Sequence, residues 1–501
     1  MGRLLSSITY QTLGGLLSPP TLLWWVLKGR YGTRWADRLG FPLAGGQNPW
    51  WFHAASVGET RSAVNIIRAL SDYREKTQGL QNCNPLTRPL ADLELANELA
   101  NVEQASLATE TLCDDRLDFY VLSVGTPAGL ERAENLSLAV INDSLLKAKK
   151  APRIQVMAPP LDFWGAPSRS LDRVAPRALI IVETELWPDL IHQAQKRRIP
   201  VMIVAGRLSQ KSLRRYLKVR SFFEPLLAQM ALIAVISEAD KHRFMELGAP
   251  SSIIRVVGNP KFDPLIQVAK ETQTPFDCPF GKNGSQKVII AGSTAEDEER
   301  LIVEAWVKLK EKTQLILCPR HLGRLKALKR YLKDFLTNQG MVFRLFSDIP
   351  CCDWGQSAGK EPDEKSRQNW PDLILVDRLG VLAQLYGSAD LAIIGGSFFA
   401  GQGHNPLEPA AYGVPIIFGP HMSSFAEEAQ SLIEAHAALR VCPSDLPAVL
   451  AQWLERGEEF LSGQAAREFL AKRDLVGPRL AALVGRALNA PLTPDCPDIH
   501  P

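Results

Sequence analysis

The stretch that decides the fold is Leu391-Ala392-Ile393-Ile394-Gly395-Gly396-Ser397-Phe398, followed at 401–415 by Gly-Gln-Gly-His-Asn-Pro-Leu-Glu-Pro-Ala-Ala-Tyr-Gly-Val-Pro. Four apolar residues predict a buried strand, and the glycines predict a tight turn after it. Asn405, Pro406 and Glu408 then stand at the N-cap, first and third positions of a predicted helix. Free N–H groups at a helix start attract anions, and the glycines leave room for a nucleotide phosphate. Glu408 either closes a capping box or accepts hydrogen bonds from a ribose.

The same alternation of short apolar runs and helical stretches continues along the chain. Ten strands are predicted, at residues 50–55, 119–124, 178–182, 201–205, 232–236, 288–291, 313–317, 373–376, 391–394 and 414–418. We therefore expect an α/β protein with two Rossmann-like, doubly wound domains that face each other across a cleft. Gly and Pro at 258–264 predict the boundary between domains 45–260 and 261–490. Residues 72–118 and 347–369 lack a firm strand pattern and are predicted insertions.

Composition and charge exclude several classes of function. A chain of 501 residues is too long for one core, and its 57 Lys and Arg against 54 Asp and Glu are spread without a basic stripe, so no nucleic acid partner is expected. The eight cysteines form no C-x-x-C pair and are typical of reduced thiols in a cytoplasmic compartment. Phosphate-loop, dinucleotide and metal-binding motifs are absent, so no cofactor and no metal are expected.

The N-terminus predicts a membrane-anchoring segment, residues 1–44. Residues 4–27 are largely apolar and end near Trp24 and Trp25, and Lys28 and three arginines follow within eleven positions. Apolar residues, paired Trp and then cations are the order expected at the cytoplasmic face of a bilayer. Pro19-Pro20 favours an anchor over a full span. The alternative is a buried helix that packs on the first domain.

Residues 51–60 lead from a buried strand into a Ser-x-x-Glu unit. Ser56 is the predicted N-cap and Glu59 the third helical residue, so Glu59 closes a capping box in the plain interpretation. In the functional interpretation Gly58 lets a ligand approach, and Glu59 is a general base that takes the proton of a hydroxyl acceptor.

Two further motifs follow predicted buried strands. Glu183 and Glu185 end one strand, and carboxylates there are costly unless they contact water, a cation or a ligand. They predict a site for a polar acceptor, with a salt bridge to Arg207 as the alternative. Arg320, in Pro319-Arg320-His321, is suited to bind phosphate through its forked donors. His321 is a second phosphate donor or an ordinary polar residue.

Together these residues resemble the Kdo transferases, GT-B enzymes that build the inner core of lipopolysaccharide with 3-deoxy-D-manno-octulosonic acid (Kdo). The likeness runs in the family's order through residues 53–60, 126–129, 183–188, 206–209, 258–263, 291–294, 319–321 and 395–422. The chain departs from the family at Ala128, where Thr is usual, and at Val381, where Glu is usual. At Val381 only backbone contacts to the nucleotide are therefore expected.

The resemblance implies that Glu59 is the catalytic base. It also implies a CMP site built from Pro319, Arg320, Leu379, Gly380, Val381, Asn405, Pro406, Leu407 and Glu408. Glu183, Glu185 and Arg207 remain the acceptor-binding candidates. The implied reaction is metal-independent, inverting transfer of Kdo from CMP-Kdo to the tetra-acylated lipid A precursor, at the cytoplasmic face of the inner membrane. Without a metal, Arg320, helix N-termini and Lys261 would meet the charge of the leaving group.

Two other functions fit parts of the same sequence. One is a GT-B enzyme that uses another nucleotide sugar, such as a UDP-sugar, on a membrane lipid. The other is a binding module that keeps the fold without catalysis, which the presence of Glu59, Arg320 and residues 405–408 disfavours.

Overall fold

The computed structural model describes residues 34–42, 48–81, 119–146, 152–163, 165–271, 286–309, 313–349, 371–399 and 401–489. The predicted anchor at 4–27 and most of the two predicted insertions, 82–118 and 350–369, lie outside the described residues. Within the described ranges no helix combines the length and the apolar character needed to cross a membrane. The chain divides into unit 1, Met1–Lys261 with Leu475–Pro501, and unit 2, Phe262–Asp474.

Unit 1 is built on a seven-stranded parallel sheet in the order β3-β2-β1-β4-β5-β6-β7. Its strands are β1 Trp50–Ala54, β2 Phe119–Val124, β3 Arg153–Met157, β4 Ala178–Val182, β5 Val201–Gly206, β6 Leu232–Val235 and β7 Ile254–Val256. The strand order reverses where β1 pairs with β4, with His53 opposite Ile181. Such a switch point opens a crevice at the carboxyl ends of the two strands, where ligands bind in folds of this kind.

Helices cover both faces of this sheet. In chain order they are α1 Trp35–Arg38, α2 Val57–Gln81, α3 Pro127–Leu146, α4 Ala166–Val174, α5 Pro188–Lys196, α6 Gln210–Leu217, α7 Arg220–Ala228 and α8 Glu238–Glu246. Successive side chains of β1 alternate between two cores: Trp51 is buried in one, and Trp50 and Phe52 in the other. Both faces of the central strands are thus apolar, as a parallel sheet requires.

Unit 2 repeats the architecture with the strand order β10-β11-β9-β8-β12-β13-β14, again all parallel. The strands are β8 Lys287–Thr294, β9 Thr313–Pro319, β10 Phe343–Leu345, β11 Leu373–Leu375, β12 Leu391–Ile394, β13 Ile416–Phe418 and β14 Ala438–Arg440. The helices are α9 Asp263–Lys270, α10 Glu298–Val307, α11 Leu325–Thr337, α12 Leu382–Leu385, α13 Leu407–Ala411, α14 Ala426–Glu434, α15 Leu446–Arg456 and α16 Gly463–Ala471.

The last helix, α17 Val476–Asn489, belongs to unit 1. Val476, Leu480 and Val484 are buried there, and the helix packs against α2 and β6. The predicted second domain extended to residue 490, but the apolar face of α17 has its buried partners in unit 1. Sequence position alone does not reveal such a return of the chain.

All ten predicted strands are present, with ends shifted by a few residues at most. The prediction of an insertion from residue 72 was wrong for 72–81, which continue helix α2. The four strands that the prediction missed, β3, β7, β10 and β14, are the edge strands of the two sheets.

Replacing Leu480 with Ala should lower the free energy of unfolding by about 2–5 kcal/mol, because its fully buried side chain would leave a cavity between α17 and α2. Urea denaturation measures this change. Leu138→Ala is the control, since Leu138 is 58% exposed in the same unit and should change stability by less than about 0.5 kcal/mol. Equal losses in both variants would show that α17 does not stabilise unit 1.

Candidate active site

Glu59 lies in the first turn of α2, directly after the carboxyl end of β1. The Glu59 N–H donates to Ser56 Oγ at 3.3 Å. In return the Ala55 N–H donates to Glu59 Oε2 at 2.5 Å, and the Ser56 hydroxyl donates to Oε1 at 2.9 Å. The capping box proposed as the plain interpretation is therefore present. It uses two of about four lone-pair positions of the carboxylate, so each oxygen keeps accepting capacity for a ligand.

Glu183 and Glu185 follow β4, the neighbour of β1 in the sheet. Glu183 has a φ of 62°, which is uncommon outside glycine and is found preferentially at functional sites. Its carboxylate forms an ion pair with the amine of Lys261. The Glu185 carboxylate accepts a hydrogen bond from Trp187 Nε1 at 3.1 Å.

The predicted alternative, a salt bridge from these carboxylates to Arg207, was wrong. Lys261 is the cation that pairs with Glu183. Arg207 instead donates its backbone N–H to Thr184 Oγ1 at 3.2 Å, and its exposed guanidinium forms no ion pair with any described residue. From the sequence, Lys261 is predicted to meet the charge of the leaving group. Its contact with Glu183 is not predicted, because the two residues are 78 positions apart in the chain.

Burial and mutual repulsion set the protonation of these carboxyls. Burial raises the pKa of Glu59, the Ala55 and Ser56 hydrogen bonds lower it, and the charge of Glu183 raises it again. Burial also raises the pKa of Glu185, against the Trp187 hydrogen bond, and the charges of Glu59 and Glu183 add to the rise. The three carboxyls therefore lie within electrostatic reach of one another. No set of three metal-ligating side chains occurs among the described residues.

His53 contacts this carboxyl cluster through Trp187, a role that the sequence did not indicate. Its ring is fully buried, with Nδ1 2.9 Å from Ser123 Oγ. It packs edge-on against Trp187, whose indole binds Glu185, with ring centroids 4.7 Å apart. Burial lowers the pKa of His53 to about 4, so the imidazole is neutral near pH 7.

In unit 2 the glycines of the turn after β12 have a role other than the predicted one, which was to leave room for a nucleotide phosphate. The glycines accommodate other parts of the protein: a Cβ on Gly395 would lie 2.5 Å from the Ser293 carbonyl oxygen, and one on Gly401 would lie 2.0 Å from the Gly396 carbonyl oxygen. Helix α13 begins at Leu407 and has only five residues. The N-cap is Pro406 rather than the predicted Asn405, but the Asn405 side chain still lies at the helix start, where its Oδ1 accepts the Leu407 N–H at 3.0 Å, so this N–H is not free.

Arg320 follows β9 and donates its backbone N–H to the Thr294 carbonyl oxygen at 3.0 Å. Pro319 is the last residue of β9 and fixes the chain just before Arg320. The guanidinium is exposed and forms no ion pair with any described residue. Burial and then the charge of Arg320 lower the pKa of His404, the charge of Glu298 raises it, and the charge of His321 lowers it again, so these side chains lie within electrostatic reach of His404.

The other predicted nucleotide contacts lie in two adjoining segments. Leu379 is 70% exposed, Gly380 has a φ of 86°, and Val381 is buried, so this turn presents backbone rather than the Val381 side chain. The turn leads into α12 and then Tyr386, which packs near α13. Glu408, in α13 after Pro406 and Leu407, is half-buried, and its charge raises the pKa values of Tyr386 and Tyr412 beyond the effect of burial.

Comparison with known proteins finds similarity to one family of transferases. A family model described as 3-deoxy-D-manno-octulosonic-acid transferase (kdotransferase) matches residues 33–81 and 102–264. The 3-deoxy-D-manno-octulosonic acid transferase of Haemophilus influenzae is 30% identical over 458 residues, which cover 89% of this chain and 87% of that protein. A bifunctional glycosyltransferase/methyltransferase of Fusobacterium nucleatum is 30% identical over 389 residues, covering 75% of this chain but only 56% of that relative.

Among solved structures, the C-terminal CMP-Kdo binding domain of WaaA from Acinetobacter baumannii is 24% identical. The match covers 42% of this chain and 99% of that domain, with a TM-score of 0.30.

Replacing Glu183 with Gln should lower the pKa of Glu59. The substitution removes a negative charge that raises this pKa and leaves the Lys261 cation beside the cluster. A carbon-13 NMR titration of the glutamate carboxyls measures the change, with Glu59→Gln identifying the Glu59 resonance. Glu238→Gln, at an exposed position of unit 1, should leave the Glu59 pKa unchanged. An unchanged or raised pKa in Glu183→Gln would contradict the electrostatic coupling.

Proposed function

Because the chain belongs to the Kdo transferase family and is therefore a glycosyltransferase, we propose that it transfers Kdo from CMP-Kdo to the tetra-acylated lipid A precursor of lipopolysaccharide. The observation that carries the proposal is the carboxyl of Glu59, held at the carboxyl end of β1 by two hydrogen bonds beside Glu183 and Glu185. A positioned carboxylate with a raised pKa is what proton abstraction from a sugar hydroxyl needs.

The chemistry is a single displacement. Glu59 takes the proton of an acceptor hydroxyl while the hydroxyl oxygen forms a bond to the anomeric carbon of Kdo. The bond from that carbon to the phosphate oxygen breaks, and its electron pair leaves with CMP. Attack opposite the leaving group inverts the anomeric configuration. The proton thus ends on Glu59, the sugar on the acceptor oxygen and the electron pair on CMP, and the step requires no metal ion.

Unit 2 supplies the donor contacts in this proposal. Arg320 meets the charge of CMP with its exposed guanidinium, and the fixed strand end at Pro319 limits its freedom. The turn 379–381, exposed at Leu379 and Gly380, offers backbone groups, and Asn405 and Glu408 offer a half-buried amide and a half-buried carboxylate for the nucleoside. Two doubly wound units in one chain are the components of the GT-B architecture, to which we assign the enzyme.

Unit 1 supplies the acceptor contacts. Glu183 and Glu185 accept hydrogen bonds from acceptor hydroxyls, and Arg207, whose guanidinium is exposed, provides a cation beside them. Since the acceptor is a lipid, residues 1–44 would hold the enzyme at the cytoplasmic face of the inner membrane. That localisation rests on the apolar run at 4–27 and the cations that follow it.

Replacing Glu59 with Gln should reduce transfer by about 10²–10⁴-fold, since the amide cannot take the proton. The assay incubates purified enzyme with CMP-Kdo and the tetra-acylated precursor and measures product mass. Glu75→Gln, an exposed position in the same helix α2, is the control and should transfer at the normal rate. Glu59→Gln should still unfold cooperatively and bind CMP. Near-normal turnover by that variant would overturn the assignment of the base.

The same assay tests the donor. Product is expected with CMP-Kdo and none with UDP-hexoses, because the proposed phosphate and nucleoside contacts are those of a CMP site. Transfer from a UDP-sugar without transfer from CMP-Kdo would replace this proposal by that of another lipid glycosyltransferase.

A further inference from the structure

Glu298, the first residue of α10, fills the turn that follows β12. Its carboxyl is 1% exposed and accepts four backbone hydrogen bonds, from Ala295 at 2.8 Å, Gly396 at 2.7 Å, Ser397 at 2.7 Å and Phe398 at 2.9 Å. No cation among the described residues pairs with it. The N–H groups of the glycine-rich turn, at residues 396–398, thus already bind a carboxylate of the protein. An anionic group of the donor must find its hydrogen bonds elsewhere.

The turn held by Glu298 fixes His404. The Gly403 N–H donates to the Gly396 carbonyl oxygen at 2.8 Å. A Cβ built on Gly396 would lie 2.9 Å from both Cδ2 and Nε2 of His404, so the imidazole lies directly against the Gly396 backbone. Gly396 has a φ of 67°, and the absence of a side chain there is what admits the ring.

The same turn connects His404 to Arg320. A Cβ on Gly395 would lie 2.5 Å from Cα of Thr294, and the Thr294 carbonyl oxygen accepts the Arg320 N–H at 3.0 Å. Arg320 and His404 therefore extend from one tightly packed set of loops. Burial of His404 and then the charge of Arg320 lower the pKa of the imidazole, against the opposing charge of Glu298, so that the neutral ring donates one N–H beside a permanently charged guanidinium.

We propose that His404 is a donor-binding residue, which together with Arg320 binds an anionic group of the nucleotide sugar, and that Glu298 is its positioning residue. The inference rests on the proposed function, since it names how CMP-Kdo is held. The donor has two anionic groups, the phosphate of CMP and the carboxylate of Kdo, and either presents the oxygens that an imidazole N–H and a guanidinium bind.

His404→Phe keeps a ring against Gly396 and removes the hydrogen-bonding nitrogens. Loss of one hydrogen bond to a charged group should weaken binding by about tenfold or more. Isothermal titration with CMP and the KM for CMP-Kdo are the two measurements. Weaker binding of CMP identifies the phosphate as the ligand, and a raised KM with unchanged CMP affinity identifies the Kdo carboxylate. His242→Phe, at an exposed position of unit 1, should change neither.

Glu298→Gln tests the positioning role. The amide offers one acceptor oxygen to four N–H groups, so the turn should shift and CMP-Kdo should bind more weakly. If Glu298 acts through His404, the double variant should bind no more weakly than His404→Phe alone. Additive losses would show that Glu298 acts independently of His404. Should Glu298→Gln fail to fold, His404→Phe alone decides the donor-binding role.

The outcomes separate this inference from the proposed function. A native enzyme that neither binds CMP nor uses CMP-Kdo would refute the proposed function. A native enzyme that uses CMP-Kdo, with a folded His404→Phe variant of unchanged CMP affinity and unchanged KM, would refute only the role of His404.

Discussion

The parallel pairing of β1 with β4 is the constraint on which the site in unit 1 depends. It places the ends of two strands side by side although more than 120 residues separate them in the chain. Glu59 follows one strand and Glu183 the other, so three carboxyls meet at one edge. Repulsion among them would be costly in a buried position, and Lys261 offsets part of it by pairing with Glu183.

In the proposed mechanism the residues at this edge serve both stability and chemistry. The capping box that stabilises the start of α2 also fixes the carboxyl of Glu59, since both of its oxygens receive a hydrogen bond from residues 55 and 56. His53 is a buried neutral imidazole that packs against Trp187, and Trp187 in turn binds Glu185. A structural interpretation of Glu59 is therefore not an alternative to a catalytic one, because a base must be held in place to act.

Unit 2 uses a buried carboxylate for a different purpose. The carboxylate of Glu298, and not a ligand, accepts hydrogen bonds from backbone N–H groups of the turn after β12. These bonds fix the conformation of the turn. Glycines then allow neighbouring loops to pack within contact distances that no side chain would permit. In the proposed donor site the anion therefore binds to a pair of side chains, Arg320 and His404, rather than to the start of the five-residue helix α13.

The sequence by itself determined the α/β class, ten of the fourteen strands found among the described residues, and the capping box at Glu59. These features depend on residues close together in the chain, and central strands appear as continuous apolar runs because both of their faces are buried. The edge strands β3, β7, β10 and β14 lack that signal, since they are short or partly exposed. Only the tertiary structure decided the pairing of Lys261 with Glu183, the filling of the turn by Glu298 and the return of α17 to unit 1. Each of these contacts brings together residues that lie about 80 to more than 400 positions apart in the chain. The spacing of neighbouring residues in the sequence therefore does not predict them.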